Sequence, residues 1–164
     1  MAPFSLSPSA AGLAYSPSSA SSVSRIATEP SDSDQLAKQV LEAVNAERDK
    51  IGLQPLKLSL ELSDMAERYA DRLIQGDFFA HIDPRNGSSL VARAKASGYT
   101  FYKVGENLAA GQRDADSVIK DWMSSPTHRA NILDPDFTEL GISIRDGGRY
   151  GRYWVQEFGR PLGQ

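Results

Sequence analysis

The sequence predicts an α+β fold built around an antiparallel sheet. Apolar residues recur mainly at helical spacing between residues 34 and 124, and they alternate at strand spacing between residues 139 and 160. Strands and helices do not alternate along the chain as they do in βαβ units. Helices that come before strands in this way favour an α+β architecture over a parallel α/β sheet.

Residues 1–33 precede the first predicted helix and are rich in Ser, Ala and Pro, without a helical or strand period. Such a composition buries too little apolar surface to offset the entropy lost on ordering, so we predict a disordered leader. A targeting segment is the alternative, because the leader has no acidic residue before Glu29 and carries Arg25 as its single basic residue.

Two helices are predicted at the start of the ordered part. Ser33 or Asp34 is the expected cap of the first helix, and Gly52 ends it before Pro55. The second helix ends at Gly76. One face of the first helix carries Leu36, Val40, Val44 and Glu47 at helical spacing, and one face of the second carries Leu62, Met65, Ala66, Tyr69, Ala70 and Leu73.

Two shorter helices and a strand are predicted next. Ser88 or Ser89 caps the third helix and Gly98 ends it. The stretch "YTFYKVGENLAAG" has the aromatic and β-branched start of a strand. The fourth helix begins after Asp114, and Pro126 is expected to stop it, which leaves the following "THRAN" in a connection.

The chain ends in a predicted β-hairpin, in which "ELGISIR" and "YGRYWVQEFGR" flank the turn "DGG". The alternating apolar positions of the two strands are Ile142, Ile144, Tyr153, Val155 and Phe158. Tyr153 and Trp154 are adjacent, so their side chains point to opposite faces of the sheet. We therefore expect at most one of the two in the interior.

The composition excludes several classes of function. The chain has 164 residues, the length of one domain, and it has no cysteine, which excludes disulfides, thiolate metal sites and a cysteine nucleophile. The formal charge of -3, with basic and acidic residues interspersed, argues against nucleic acid as a partner. No apolar run reaches the roughly 18 residues that a transmembrane span requires.

Three side chains of types that bind ligands or take part in catalysis lie in or beside predicted loops: His81, Glu106 and His128. Two imidazoles and a carboxylate can hold a divalent cation. The spacing along the chain does not make them neighbours, so a shared metal site and two unrelated structural histidines both stay open. Ser124 and Ser125 beside His128 lack the G-x-S-x-G elbow of a serine hydrolase and fit helix caps or turns better.

Several roles stay open for Glu106 and for two asparagines near the candidate residues. Glu106 stands between Gly105 and Asn107, where it can orient a histidine, act as an acid or base, or cap a helix. Asn107 and Asn131 are expected to anchor backbone groups, because one amide side chain both donates and accepts hydrogen bonds.

Taken together, the motifs "VGENLAAG", "DWMSSPTHRANIL", "FTELGISI" and "YWVQEFGRP" resemble the CAP superfamily of cysteine-rich secretory, antigen 5 and pathogenesis-related 1 proteins, and within it the bacterial YkwD-like branch. The resemblance covers residues 34–161 as one domain. It implies an α-β-α sandwich with a central antiparallel sheet.

The resemblance also implies a cleft lined by two histidines and two glutamates that can hold a divalent cation, often zinc. By motif, His81 matches the first histidine, Glu106 the first glutamate and His128 the second histidine. The second glutamate does not carry over, because Ser124 or Ser125 stands at its place. The chain therefore offers two histidines and one glutamate.

The function implied by the resemblance is that of an extracellular or cell-envelope binding module for a small-molecule, lipid or cell-surface ligand, and we expect a monomer. Two alternatives stay open. One is a metal-assisted hydrolase of peptide or cell-wall substrates, in which a bound Zn²⁺ or other divalent cation activates water. The other is an interaction domain that responds to pH, because histidines titrate near neutrality.

Overall fold

The computed structural model describes residues 29–163, so residues 1–28 of the predicted leader lie outside the described range. The elements in chain order are α1 (Asp32–Asp49), β1 (Lys57–Leu58), α2 (Leu60–Gly76), α3 (Leu90–Ser97), β2 (Phe101–Ala110), α4 (Ala115–Ser124), α5 (Pro126–Ile132), β3 (Glu139–Gly147) and β4 (Gly151–Pro161).

Helix α1 begins earlier than predicted. Its cap is Ser31, whose hydroxyl accepts from the Asp34 backbone N–H, while the Asp34 carboxylate accepts from the Ser31 N–H, each at 3.2 Å. This reciprocal capping box makes the expected cap at Ser33 or Asp34 wrong, with Asp34 serving as the third helical residue instead. On the buried face, Glu47 is only half-buried and its neighbour Arg48 takes the interior position.

The other predicted helix ends are mostly confirmed. Ser89 caps α3, and Gly98 ends it in the left-handed region at φ 83°. Asp114 caps α4 by accepting from the Ser117 N–H at 2.8 Å. All six apolar residues predicted on the inner face of α2 are buried. The left-handed residue that terminates α2 is Asp77, which follows Gly76.

The prediction that Pro126 leads into a connection is wrong, because Pro126 is the first residue of α5. The first position of a helix tolerates proline, since its missing N–H has no partner within the helix and its φ already fits. His128 therefore lies on a helix that follows α4 directly.

The four strands form one sheet in the order β1-β3-β4-β2. The predicted hairpin of β3 and β4 is confirmed, and β2 pairs antiparallel with β4. The three long strands are antiparallel as predicted, and the short β1 adds a parallel pairing with β3, so the complete sheet is mixed. Strand β1 has two residues, too few to show a period in the sequence.

Helices cover both faces of the sheet, which confirms the α-β-α sandwich. Helices α1, α4 and α5 share one core with one face, including Val44, Trp122, Ile132, Trp154 and Phe158. Helix α2 shares a second core with the other face, including Tyr69, Leu73, Tyr153 and Val155. Tyr153 and Trp154 are consequently both buried, so the expectation of at most one in the interior is wrong.

Helix α2 approaches β3 very closely at Gly141. A Cβ atom on Gly141 would overlap the backbone carbonyl carbon of Leu62 and the backbone nitrogen of Ser63. The two elements can pack at this distance only because residue 141 has no side chain. Within residues 29–163, none of the helices combines the length and the apolar character needed to cross a bilayer.

Strand β2 is an edge strand, and both helical layers reach it. Glu106 pairs with Glu157 of β4, and Asn107 pairs with Gln156. Because successive strand residues face opposite sides, Glu106 points to the layer of α2 and α3, and Asn107 points to the layer of α5. The edge of the sheet is therefore where side chains from the two layers can meet.

Candidate functional site

The site begins with a pair formed by His81, in the loop after α2, and Glu106, on β2. The His81 Nδ1 atom lies 2.8 Å from Glu106 Oε1. The side chain of His81 is 57% exposed, whereas that of Glu106 is 2% exposed. A buried carboxylate thus orients an exposed imidazole. Because Nδ1 is engaged by Glu106, Nε2 is the ring nitrogen available to a ligand.

Arg93 of α3 holds the other side of this pair. Its guanidinium forms an ion pair with Glu106 Oε2 and donates to the backbone carbonyls of His81 at 2.9 Å and Ser88 at 3.3 Å. The guanidinium carbon also lies 3.4 Å from the centre of the Tyr69 ring. Arg93 therefore fixes both the carboxylate and the loop that carries the histidine.

A second carboxyl group, that of Glu157, lies beneath the pair. It is fully buried, and its two oxygens accept no hydrogen bond from any donor within residues 29–163. The nearest cation is Arg93, whose Nη2 lies 3.9 Å from Glu157 Oε1. Burial, followed by the negative charge of Glu106, raises the pKa of Glu157 well above its ordinary value. The protonated acid is favoured, and its hydroxyl can donate to Glu106.

Two asparagines join α5 to β2. The Asn107 amide donates to the backbone carbonyl of His128 and to Gln156 Oε1, both at 3.1 Å. The Asn131 amide donates to the backbone carbonyl of Glu106 at 3.1 Å and to Asn107 Oδ1 at 2.9 Å. The prediction that both asparagines anchor backbone groups is confirmed, and these bonds fix the position of His128 relative to Glu106.

The two histidines lie close enough to interact electrostatically. Burial, followed by the charge of His81, lowers the pKa of His128 below 6.5. Among residues 29–163, however, no three or more His, Asp or Glu side chains are grouped closely enough to hold a metal ion. The ligand set of His81, Glu106 and His128 thus stays a prediction, and the Glu106 carboxylate is already engaged by His81 and Arg93.

The serines beside His128 make contacts of their own. The Ser124 hydroxyl donates to a carbonyl one turn earlier in α4 at 2.7 Å, and the Ser125 hydroxyl lies 3.4 Å from that of Thr127. Asp121 accepts from Gln112 at 2.8 Å. In the described part of the chain, none of these groups hydrogen-bonds to His81 or Glu106, and none replaces the second glutamate of the motif.

Three residues of the site were missed in the sequence: Tyr69, Arg93 and Glu157. Glu157 carried a signal, because it occupies an inward position of a strand beside Tyr153 and Val155, where a carboxylate is rarely buried without a role. Nothing in the sequence marked Arg93 as a site residue, since arginine is ordinary on the surface of a short helix.

The chain is similar in sequence to known proteins. The sequence model of the cysteine-rich secretory protein family, CAP, matches residues 41–158. YkwD of Bacillus subtilis (strain 168) is 35% identical over 142 residues, which cover 87% of this chain and 54% of that protein. The chain thus spans about half the length of this relative.

Two solved structures have a similar fold. An extracellular protein containing an SCP domain from Bacillus anthracis str. Ames superposes with a TM-score of 0.69 at 26% identity, over 78% of this chain and 41% of that one. An outer surface protein from Borrelia burgdorferi superposes with a TM-score of 0.72 at 22% identity, over 77% of this chain and 93% of that one.

Proposed function

Because the chain belongs to the CAP family of cysteine-rich secretory proteins, we propose that it is a binding domain whose histidine cleft, formed by His81, Glu106 and His128, takes a polar ligand or a divalent cation. The observation that carries this proposal is the 2.8 Å contact between His81 and Glu106. A buried, doubly held carboxylate keeps an exposed imidazole in a fixed orientation, which is how proteins prepare a histidine to bind.

The chemistry of the cleft favours a cation such as Zn²⁺ bound by the two imidazoles. Neutral imidazole is the ligand form, and the lowered pKa of His128 favours that form at neutral pH. Glu106 would act on a bound cation through His81, because a carboxylate that accepts from one ring nitrogen makes the other nitrogen a better ligand. With only two protein side chains as ligands, such an ion would be held with modest affinity.

The proposed location is the extracellular space or the cell envelope. The similar proteins of known structure include one described as extracellular and one described as an outer surface protein. A small molecule, a lipid head group or a cell-surface glycan would meet an exposed histidine there, and we propose that the domain acts as a monomer.

The test is a calorimetric titration of the full chain with zinc chloride, beside the variants His81→Ala, His128→Ala and Glu106→Gln. We expect each histidine variant to lose binding and Glu106→Gln to weaken it about tenfold, since loss of an orienting carboxylate costs that much in other sites. Thr100→Ala is the control, because Thr100 is exposed before β2 and is not one of the residues assigned to the cleft.

Absence of zinc binding in the parent chain would exclude the metal form of the proposal. Equal binding in the parent and in both histidine variants would place the ion elsewhere and contradict the shared cleft. Circular dichroism of each variant separates loss of binding from loss of fold.

A further inference from the structure

Strand β3 has an outer edge that is paired over only a short stretch. Strand β1 pairs with residues 139–140, and within residues 29–163 the rest of β3 has no neighbouring strand on that side. The edge lies in a groove between the start of α1 and α2, which we call the β3-edge groove. Its wider part encloses about 370 Å³ and is lined by residues 31–33, residues 144–146 and Arg152. A narrower part runs on between α1 and Glu67 of α2.

The backbone groups of alternate β3 residues point out of the sheet toward this groove. The Ile142 N–H donates outward, to the Ser63 hydroxyl of α2 at 3.3 Å. Because hydrogen bonding alternates along an antiparallel pair, the N–H and C=O groups of Ile144 and Asp146 point the same way. No residue from 29 to 163 hydrogen-bonds to these outward backbone groups. The groove thus presents the donors and acceptors that an added strand would use.

The sides of the groove carry an excess of negative charge. Four carboxylates form ion pairs with two arginines there: Asp32 and Asp146 with Arg152, and Glu67 and Asp71 with Arg145. In every pair the carboxylate is more exposed than the guanidinium; the side chain of Asp32, for example, is 76% exposed and that of Arg152 is 22% exposed. A positively charged partner therefore complements this surface.

We propose that the β3-edge groove binds an extended, basic peptide segment of a partner protein, which joins the sheet as a strand beside Ile144 and Asp146. The backbone of the segment bonds to the outward N–H and C=O groups, and its lysine or arginine side chains meet Asp32 on one side and Glu67 and Asp71 on the other. Pairing over a short stretch suits this edge, since β1 pairs with only two residues of it. The proposal is independent of the histidine cleft, none of whose residues lines the groove.

The experiment is an NMR titration of the full chain, at fixed ionic strength, with an acetylated and amidated pentapeptide of alternating lysine and valine. We expect the largest shifts at the backbone amides of Ile144 and Asp146. Hydrogen exchange of both amides should slow on binding, because each N–H gains an acceptor.

Two matched peptides separate charge from backbone pairing. A peptide with glutamate in place of lysine should not bind, because its charge is repelled by the groove. A lysine peptide with methylated backbone nitrogens keeps the charge but cannot donate to β3. We expect it to bind about tenfold more weakly, through loss of one or two hydrogen bonds.

Variants of the chain locate the binding. Glu67→Gln together with Asp71→Asn should weaken it about tenfold, because the α2 side of the groove loses two negative charges. Glu42→Gln together with Glu61→Gln is the matched control, since it removes two charges from exposed positions outside the groove and should leave the affinity unchanged. None of the four side chains is buried, so we expect both double variants to fold.

The proposal is overturned if the lysine peptide does not bind, if the glutamate or methylated peptide binds as tightly, or if Glu67→Gln with Asp71→Asn keeps the affinity of the parent. A parent that sediments as a dimer, beside a monomeric double variant, would assign the groove to a second copy and also overturn it. Tighter binding of a peptide of residues 17–28 would assign the groove to the chain itself, with the same consequence.

The histidine cleft and the β3-edge groove are tested separately. The His81→Ala variant should bind the lysine peptide normally even if it binds no zinc, because His81 lies outside the groove. Failure of one site is thus distinguishable from failure of the other.

Discussion

Glu157 couples the stability of the protein to pH through a single side chain. Its pKa in the folded protein lies well above 4.5, the ordinary value that it regains on unfolding. As the pH rises from 4.5, the unfolded chain releases a proton that the folded protein keeps, so the free energy of unfolding falls. The loss continues until the pH passes the pKa of the folded protein, at up to about 1.4 kcal/mol per pH unit.

We therefore expect Glu157→Gln, which imitates the protonated acid, to remove this loss. Urea unfolding at pH 5 and pH 8 should show the variant gaining stability over the parent as the pH rises. Glu61→Gln, at an exposed position of α2, is the control and should follow the parent. A constant difference between Glu157→Gln and the parent at both pH values would contradict the assignment.

The lowered pKa of His128 has two causes that can be measured separately. Burial is the larger cause and the charge of His81 is the smaller one. In His81→Ala we expect the pKa of His128 to rise toward 6.5 without reaching it, since the burial remains. The chain has two histidines, so NMR titration of the imidazole resonances, with a chelator present, resolves each one. An unchanged pKa in the variant would show that the two rings do not interact.

The residues of the site divide into those that a sequence can reveal and those that it cannot. His81, Glu106 and His128 stand in recognisable motifs, and the structure brings His81 and Glu106 into contact. Their role as one ligand-binding set stays a prediction. Arg93 acts by reaching from α3 across to β2. Such a contact depends on how elements pack, which local spacing does not encode.

At the scale of elements, the closest packing is that of α2 against β3 at Gly141. We expect Gly141→Ala to destabilise the fold by about 3 kcal/mol or more, because the new methyl group would overlap the backbone of α2. Gly151→Ala is the comparison: it has open space but a φ of 81°, so its cost should be about 1 kcal/mol from backbone strain. Chemical denaturation measures both, and equal costs would contradict the packing argument.

Period and capping signals predicted most elements, and the failures have physical causes. The three longest helices and the hairpin span enough residues for their periods to show. Strand β1 is defined by pairing with β3, a long-range contact. Helix α5 was missed because a proline reads equally as a stop signal and as a first helical residue.

At the scale of the whole molecule, Arg48 ties distant parts of the chain together. It is buried at the end of α1 and donates to the backbone carbonyls of Gln54, Ile132, Asp134 and Phe137. These carbonyls lie at the last residue of α5 and in the connections after α1 and after α5. One guanidinium thereby holds two loops that have no regular structure of their own.

We expect Arg48→Lys to lower the free energy of unfolding by more than about 2 kcal/mol, because an ammonium group cannot reach all four carbonyls and leaves buried acceptors unsatisfied. Arg113→Lys, at an exposed position, is the matched control and should change stability by less than about 0.5 kcal/mol. Thermal or urea unfolding of the parent and of both variants measures these changes in stability. A small effect of Arg48→Lys would mean that water replaces the lost bonds.

The position of β2 at the edge of the sheet has a consequence for how copies of the chain behave toward one another. An open strand edge can recruit a strand from a second molecule and start a fibril. Here the Asn131 side chain of α5 donates to the Glu106 backbone carbonyl of β2, and Asn107 of β2 donates to the His128 backbone carbonyl within α5. The bond from Asn131 therefore occupies one acceptor of β2 that a strand of a second molecule could use, so we expect loss of this side chain to expose the edge as well as to loosen α5.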